Sequence, residues 1–396
     1  MKNPLTFLCI SGEFKGLDFL RYCKEAGNRI FLVTSHNLKD KPWPMQYIDE
    51  IFYMEETAPQ VWSMDDLVLG LSHLMRHNKV DTIVALDDFD VEKAAHLREH
   101  FRIPGMGETT CRHFRDKLAM RMKAKEGGVN VPAFAALFND AEVNAFAEAV
   151  PTPWVVKPRG EASATGIKKV HSKEELWQVI HDLGDERHNY LVEQFKPGDV
   201  YHVDALSYDG KVVFSRVSRY LSTPFEVAHG GGIFRSVIVE YGSEDDKALQ
   251  QFNKEVLKTF GLKNSASHTE YIKANADGKF YFLETASRVG GAHLAEMVEA
   301  SSGINLWGEW AKLEDAAIRG VAYKVPKARK DYAGIVVSLA KFQDVDDSGF
   351  QDAEIVWRLR KDYHIGLIVQ AQKQERVLEL LDDYAQRINR DFHAAG

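Results

Sequence analysis

Apolar and polar positions follow two rhythms along this chain, and the changes between them mark its parts. Thr6–Ile10 is a continuous apolar run, closed by the turn Ser11-Gly-Glu-Phe-Lys-Gly16. The helical period that follows predicts a helix over Leu17–Ala26. Arg29–Thr34 reads as a second strand, Met64–His77 as a helix, Thr82–Leu86 as a strand and Val91–Glu99 as a helix. Strand and helix in alternation predict a parallel, doubly wound sheet. The Ser11–Gly16 turn lacks G-x-G-x-x-G, so it reads as a tight strand-to-helix turn and counts against a nicotinamide dehydrogenase. Asp87, Asp88 and Asp90 follow the Thr82–Leu86 strand. Ligands bind at the carboxyl ends of parallel strands, and acids there also cap the next helix.

The loop Arg102–Gly107 is the first boundary. A helix is expected from about Cys111 to Glu126, containing Arg115, Asp116 and Lys117 and ending at Gly127-Gly128. Then come a helix at Asp140–Ala149, strands at Trp154–Lys157 and Lys168–His171, a helix at Lys173–Leu183 and a strand at Tyr190–Phe195, which together form an α+β unit. Tyr201–Ser207 and Lys211–Arg219 form a hairpin across Tyr208-Asp209-Gly210, and a helix is expected at Glu244–Phe260. A second hairpin spans His268–Arg288, with a helix near Leu294–Ala300 after it. From about Lys327, the apolar strands Gly334–Leu339 and Gly366–Val369 and an amphipathic helix at Gln374–Ile388 read as a small closing subdomain.

With 396 residues, two or three domains are expected. The 45% apolar and 27% charged composition is that of a soluble globular protein. A net charge of −8 argues against nucleic-acid or anionic-membrane partners. No run is long enough for a membrane span or a signal peptide. Three dispersed cysteines, Cys9, Cys23 and Cys111, fit a reduced, cytoplasmic setting.

The chemistry gathers in three segments. In the second hairpin, a register symmetric about Asp277 puts Glu270 opposite Glu284 and Ile272 opposite Phe282. Like charges directly opposite destabilise a sheet. A cation between them resolves the conflict, and carboxylate oxygens suit Mg²⁺; a solvated sheet face with a slipped register is the plainer alternative. Lys157 ends an apolar strand before a loop of small residues with Ser163, Thr165 and Gly166. Such a loop lets backbone N–H groups approach phosphate oxygens, although it is no P-loop and a plain hairpin loop fits as well. Tyr190–Phe195 meets a turn at Pro197-Gly198-Asp199 that could offer backbone groups to a purine edge or be an ordinary β-turn.

Arg-Asp-Lys, then Lys with a Gly/Ser loop, then Glu-x-Phe with a Gly turn, then Glu…Glu-x-x-x-Arg is an order that resembles the ATP-grasp superfamily. The branch is that of biotin carboxylase, carbamoyl-phosphate synthetase and the bacterial L-amino-acid ligases. The resemblance implies an α/β and α+β architecture: a Rossmann-like pre-ATP-grasp domain at 1–112, a two-part ATP-grasp domain at 113–326 with a lid at about 124–193, and a closing subdomain at 327–396. It implies that Lys117 and Lys157 contact nucleotide phosphates, that Ser163, Thr165 and Gly166 lie in the lid over them, and that Glu193, Gln194 and Phe195 hold adenine. Glu270 and Glu284 would hold Mg²⁺ or Mn²⁺, and Arg288 would stabilise charge on the transferred phosphoryl group. Two departures stand out. Val200 sits where the ribose carboxylate usually is, leaving Asp199 or His202 as substitutes, and Ala286 replaces an Asn that often ligates metal.

The resemblance to amino-acid ligases implies that the loop with His229, followed by three glycines, contacts the acceptor and the acyl phosphate, so His229 is proposed as a catalytic residue and substrate contact and Arg235 as a substrate contact. Arg288 is followed by Gly290 and Gly291, which open a helix N-terminus able to receive a carboxylate. The expected activity is ATP-dependent joining of a carboxylate to an amine, on an amino acid, through an acyl phosphate, with release of ADP and phosphate. The alternatives are a bicarbonate-using carboxylase of the same superfamily and a nucleotide-binding regulator without turnover. The resemblance leaves a homodimer open.

Overall fold

The computed structural model describes residues 3–161, 166–223, 227 and 231–394. Its N-terminal sheet is parallel, in the order Glu50–Met54, Arg29–Ser35, Thr6–Ser11, Thr82–Ala85. The central strand is buried on both sides, which is why Thr6–Ser11 shows no polar alternation. Phe7 and Cys9 enter one core with Phe19 and Trp310, while Leu8 and Ile10 enter another with Leu67, Ala94 and Leu97. Trp310 lies on Leu306–Arg319, a helix the sequence reading did not mark. Its ring meets Phe19 edge-on at 4.9 Å, so a helix from beyond the second hairpin closes one face of the first sheet.

A second, antiparallel sheet runs Phe134–Ala136, Tyr190–Gln194, Trp154–Pro158, Lys168–Val170. Strand periodicity splits it cleanly. Trp154, Val156 and Val192 pack under the helices Asp140–Ala149 and Lys173–Leu183, while Val155, Lys157 and Glu193 line the cavity described below. The expected helix across Cys111–Glu126 is broken. A turn of helix at Glu108–Cys111 gives way at Arg115, and the main helix begins at Lys117. Asp116 is its cap, accepting from the N–H groups of Leu118 at 2.9 Å and Ala119 at 3.3 Å.

The third sheet has eight strands in the order Phe280–Ala286, Ser265–Ala274, Gly198–Tyr208, Lys211–Tyr220, Phe234–Ile238, Tyr332–Leu339, His364–Ala371, Ile355–Arg358. The last three belong to the stretch read from the sequence as a small closing subdomain. Tyr332–Leu339 pairs antiparallel with Phe234–Ile238 and extends the same sheet. An otherwise open edge is covered in this way, and the helix Gln374–Asp391 packs its apolar stripe on that extension through Val377, Leu381 and Tyr384.

Candidate active site

Glu270 and Glu284 are directly opposite across the hairpin, as the sequence suggested. Beyond them the register slips by one: Tyr271 pairs with Phe282 and Ile272 with Tyr281, so the expected Ile272–Phe282 pair is not formed. The slip is a β-bulge with Leu283 as the extra residue. It frees the Leu283 carbonyl to accept from Arg121 Nη1, and the Phe282 N–H goes to the Asn130 carbonyl. The two glutamates are held differently. Lys117 Nζ is 2.9 Å from Glu284 Oε2. Burial alone would raise the Glu284 carboxyl, but Lys117, joined by Lys157 and Arg121, holds the group down at about 2. Among the described residues no lysine pairs with Glu270. Its Oε1 accepts from the Tyr220 hydroxyl at 2.8 Å and lies 3.6 Å from His268 Nε2. Burial pushes the Tyr220 phenol far up, with Glu270 adding to it, so the hydroxyl remains a donor.

The cavity is also bordered by a buried ionic triad that adjoins the hairpin through Arg121. Glu193 receives Lys157 Nζ on Oε1 and Arg121 Nε at 2.9 Å on Oε2. Burial lowers the Lys157 ammonium to about 8 even though Glu193 works against it. Burial would raise Glu193, but Arg121 and Lys157 hold it below the usual range. The Glu193 carboxylate is therefore already engaged. The N–H of Gln194 is given to Ala133 and that of Phe195 to Pro153, which removes both donors from base recognition. The Phe195 ring lines the cavity with Lys169 Nζ 3.9 Å from its centroid. Asp199 lies at the rim, largely exposed and 3.7 Å from Arg219. His202, the other suggested ribose substitute, is fully buried between Asp204 and Ser236, so it is out of reach.

Arg288 reaches from the end of the hairpin to Asp88 of the N-terminal domain, with Nε at 3.0 Å from Oδ2. Of the three acids noted there, Asp87 pairs with Lys15 and caps Phe89, and Asp90 binds the Gly12 N–H at 2.7 Å and Lys93 at 2.9 Å. Only Asp88 faces the cavity, and its Oδ1 is buried with no hydrogen-bond partner among the described residues. Gly290 is required for space: a Cβ there would stand 2.7 Å from Asp204 Oδ1 and 2.9 Å from His268 Nδ1. Gly291 borders the cavity with room to spare. The left-handed turn into helix Leu294–Ser302 is made by Ala292 (φ 51°) and His293 (φ 61°), not by these glycines.

One site residue is corrected outright. Arg235 lies on strand Phe234–Ile238, where alternation sends Phe234 into the cavity and Arg235 to the other face. There it pairs with Asp382 of the C-terminal helix at 2.6 Å. Ser163, Thr165 and His229 lie outside the described residues, while Gly166 adopts φ 71° beside Pro158.

Lys117, Lys157, Glu193, Glu270, Glu284 and Arg288 thus border one cavity of about 720 Å³. Sequence reasoning missed Arg121, which is four residues after Lys117 and so on the same helix face, a signal that was available. It also missed Tyr220 and His268, which sit among ordinary strand residues. His268 donates Nδ1–H to Asp204 at 2.8 Å. Burial opposes charging of the imidazole, but Asp204 and Glu270 raise it to about 9.

Residues 150–296 match the ATP-grasp domain family. An L-arginine-specific L-amino acid ligase of Bacillus subtilis is 24% identical over 297 residues, covering 74% of this chain and 70% of that protein. A D-alanine–D-alanine ligase of Neisseria gonorrhoeae is 24% identical over 176 residues, 43% of this chain and 56% of that protein. Among solved structures, an L-amino acid ligase from Bacillus licheniformis superposes with a TM-score of 0.74 at 18% identity, with 99% of each chain covered. The chain carries an ATP-grasp domain. It has the same overall fold as the L-amino acid ligase from Bacillus licheniformis. No helix among the described residues is long and apolar enough to cross a membrane.

Proposed function

We propose that the protein joins a carboxylate to an amine, one of them an amino acid, through an acyl phosphate. In this reading residues 1–112, 113–326 and 327–396 are the pre-ATP-grasp, ATP-grasp and closing parts, with the lid at about 124–193. The observation that carries it is the facing pair Glu270 and Glu284, which border one cavity together with Lys117, Lys157 and Arg288. Two facing carboxylates, one of them paired directly with Lys117, are a donor set that fits Mg²⁺ or Mn²⁺. Bound there, the ion would neutralise charge on the ATP phosphates.

Lys117 and Lys157 stabilise the phosphate oxygens of ATP. A carboxylate oxygen of the first substrate attacks the γ-phosphorus, ADP leaves, and Arg288 offsets the charge on the phosphoryl group. The amine nitrogen then attacks the acyl carbon, phosphate leaves, and the nitrogen loses a proton. The positions of Lys157, Arg121 and Glu193 are fixed by their mutual contacts before any ligand arrives, which limits reorganisation. Asp88 supports an amino-acid substrate, because an ammonium group would satisfy the oxygen that has no partner. His229 remains a proposed substrate contact. Cytoplasmic location and a homodimer complete the reading.

The test is ADP and phosphate release from Mg²⁺-ATP against pooled amino acids and small carboxylic acids, with and without bicarbonate. Release dependent on an amino-acid pool, with an amide in the products, supports the reading. Release that needs bicarbonate alone, or no release across all pools while ATP still binds, overturns it.

A further inference from the structure

Glu270 is a carboxylate with one oxygen occupied and one open. The Tyr220 hydroxyl donates to Oε1 at 2.8 Å, and His268 Nε2 stands 3.6 Å from the same oxygen and 3.5 Å from the hydroxyl. Oε2 has no hydrogen-bond partner among the described residues. Behind His268 the polar contacts continue inward. Asp204 accepts Nδ1–H of His268 on Oδ1 at 2.8 Å and Nδ1–H of His202 on Oδ2 at 2.7 Å. His202 Nε2 meets Ser236 Oγ at 2.8 Å.

His202, Asp204 and Ser236 are completely buried. Such a network is expensive to bury, and well-packed apolar side chains of the same volume would serve stability as well or better. It closes at the Ser236 end and opens to solvent only through His268, on the cavity wall beside Glu270. Gly290 belongs to the same device, since any side chain there would strike both Asp204 and His268.

We propose that Tyr220 and His268 are positioning residues for Glu270, with Ser236, His202 and Asp204 fixing His268 from behind, so that Oε2 alone faces a divalent cation. The inference rests on the reading of Glu270 and Glu284 as the ligands of that cation. Ligating carboxylates are themselves held by hydrogen bonds, and losing such a support typically lowers metal affinity about 10–100-fold. Tyr220 differs from Lys117 in kind. It orients its carboxylate without charge, so it has no reason to leave when a cation arrives.

The probe is Mn²⁺, with the free ion counted by electron paramagnetic resonance in the presence of the full chain and a non-hydrolysable ATP analogue. Tyr220→Phe and His268→Gln are expected to weaken Mn²⁺ binding by about tenfold or more, and Ser236→Ala by a smaller factor. Affinity for the analogue without metal should be unchanged, a separation that general loss of structure would not give. Tyr220→Phe removes one oxygen and decides the matter alone if His268→Gln fails to fold. Mn²⁺ affinity within twofold of wild type in Tyr220→Phe, while Glu270→Gln loses the ion, overturns the positioning role. Wild-type affinity in Glu270→Gln overturns the metal reading itself, and the inference with it.

Discussion

Two ion-paired glutamates face the same cavity and illustrate opposite solutions. Glu193 is sealed between Lys157 and Arg121, with 4% of its surface exposed, and Arg121 is completely buried. Among the described residues Glu284 is in direct ion-pair contact with Lys117 alone, with Lys157 and Arg121 acting from further off, and it stays a third open. The closed triad arranges charge permanently, because any member that left would strand another in low dielectric. The open pair can exchange partners: a metal ion could take Glu284 while Lys117 turns to a phosphate. Enclosure therefore separates a fixed part of the site from a part that responds to ligand, and the two should fail in different ways when mutated.

The largest effect is expected at the open pair. Glu284→Gln removes a proposed ligand and also relieves repulsion with Glu270. ADP formation should fall by about a thousandfold or more, with the melting temperature unchanged or raised. Full activity in that variant would reject Glu284 as a ligand.

At the closed triad the damage should appear in stability. Arg121→Met leaves Glu193 with one cation and the Leu283 carbonyl without its donor. A cost of about 3–5 kcal/mol in denaturant unfolding is expected from breaking a buried pair. A melting curve like wild type would mean the triad is not sealed after all.

Glu314 sharpens the contrast, because it is a carboxylate with no ion-pair partner among the described residues. Its contacts are the Trp310 indole, donating to Oε1 at 3.0 Å, and the more distant Arg98. Burial lifts the group from an ordinary 4.5 to about 7, against the pull of Trp310 and Arg98. A folded-state value above the unfolded one means the native chain binds the extra proton between those limits. The contribution of Glu314 is therefore most favourable below about pH 4.5 and is lost as pH rises through 7. Glu314→Gln keeps the acceptor for Trp310, and the difference between its urea midpoint and that of wild type should grow in favour of the variant from pH 5 to pH 8. A constant difference would show that Glu314 is charged throughout.

How much of this was legible in the sequence depends on the range of the interaction. The facing of Glu270 and Glu284 follows from a local turn and a period of two, so it could be read directly. The same reading failed two residues further on, at Ile272, because the bulge at Leu283 answers to Arg121, a residue 162 positions away. The broken helix before Lys117 was in principle legible, since Asp116 is an ordinary cap. The partners of Asp88 and Tyr220 were not: Asp88 meets Arg288 only when separate sheets assemble, and Tyr220 meets Glu270 across an intervening strand of one sheet, 50 positions away in the chain. The continuation of the eight-stranded sheet into the C-terminal stretch was hidden for the same reason: no local pattern states which edge a strand will join.

Arg235 is where a loop assignment misled, and it yields the smallest predicted effect. A residue between the hinge and the second hairpin looked suited to touch substrate. Folding placed it on a strand, one position after Phe234, and a single step along a strand changes the face. Its guanidinium meets Asp382, a residue about two-thirds exposed on the C-terminal helix. An ion pair of this exposed kind contributes only about 0.2–1 kcal/mol. Arg235→Ala should therefore lower stability by that amount at most and leave the KM values for ATP and both substrates, and kcat, at wild-type levels. Because the strand also carries Phe234 into the cavity, the experiment separates the faces: Phe234→Ala should raise a KM where Arg235→Ala does not. A raised substrate KM in Arg235→Ala would mean that the helix carrying Asp382 moves away during turnover and that the division between the two faces of this strand does not hold in the working enzyme.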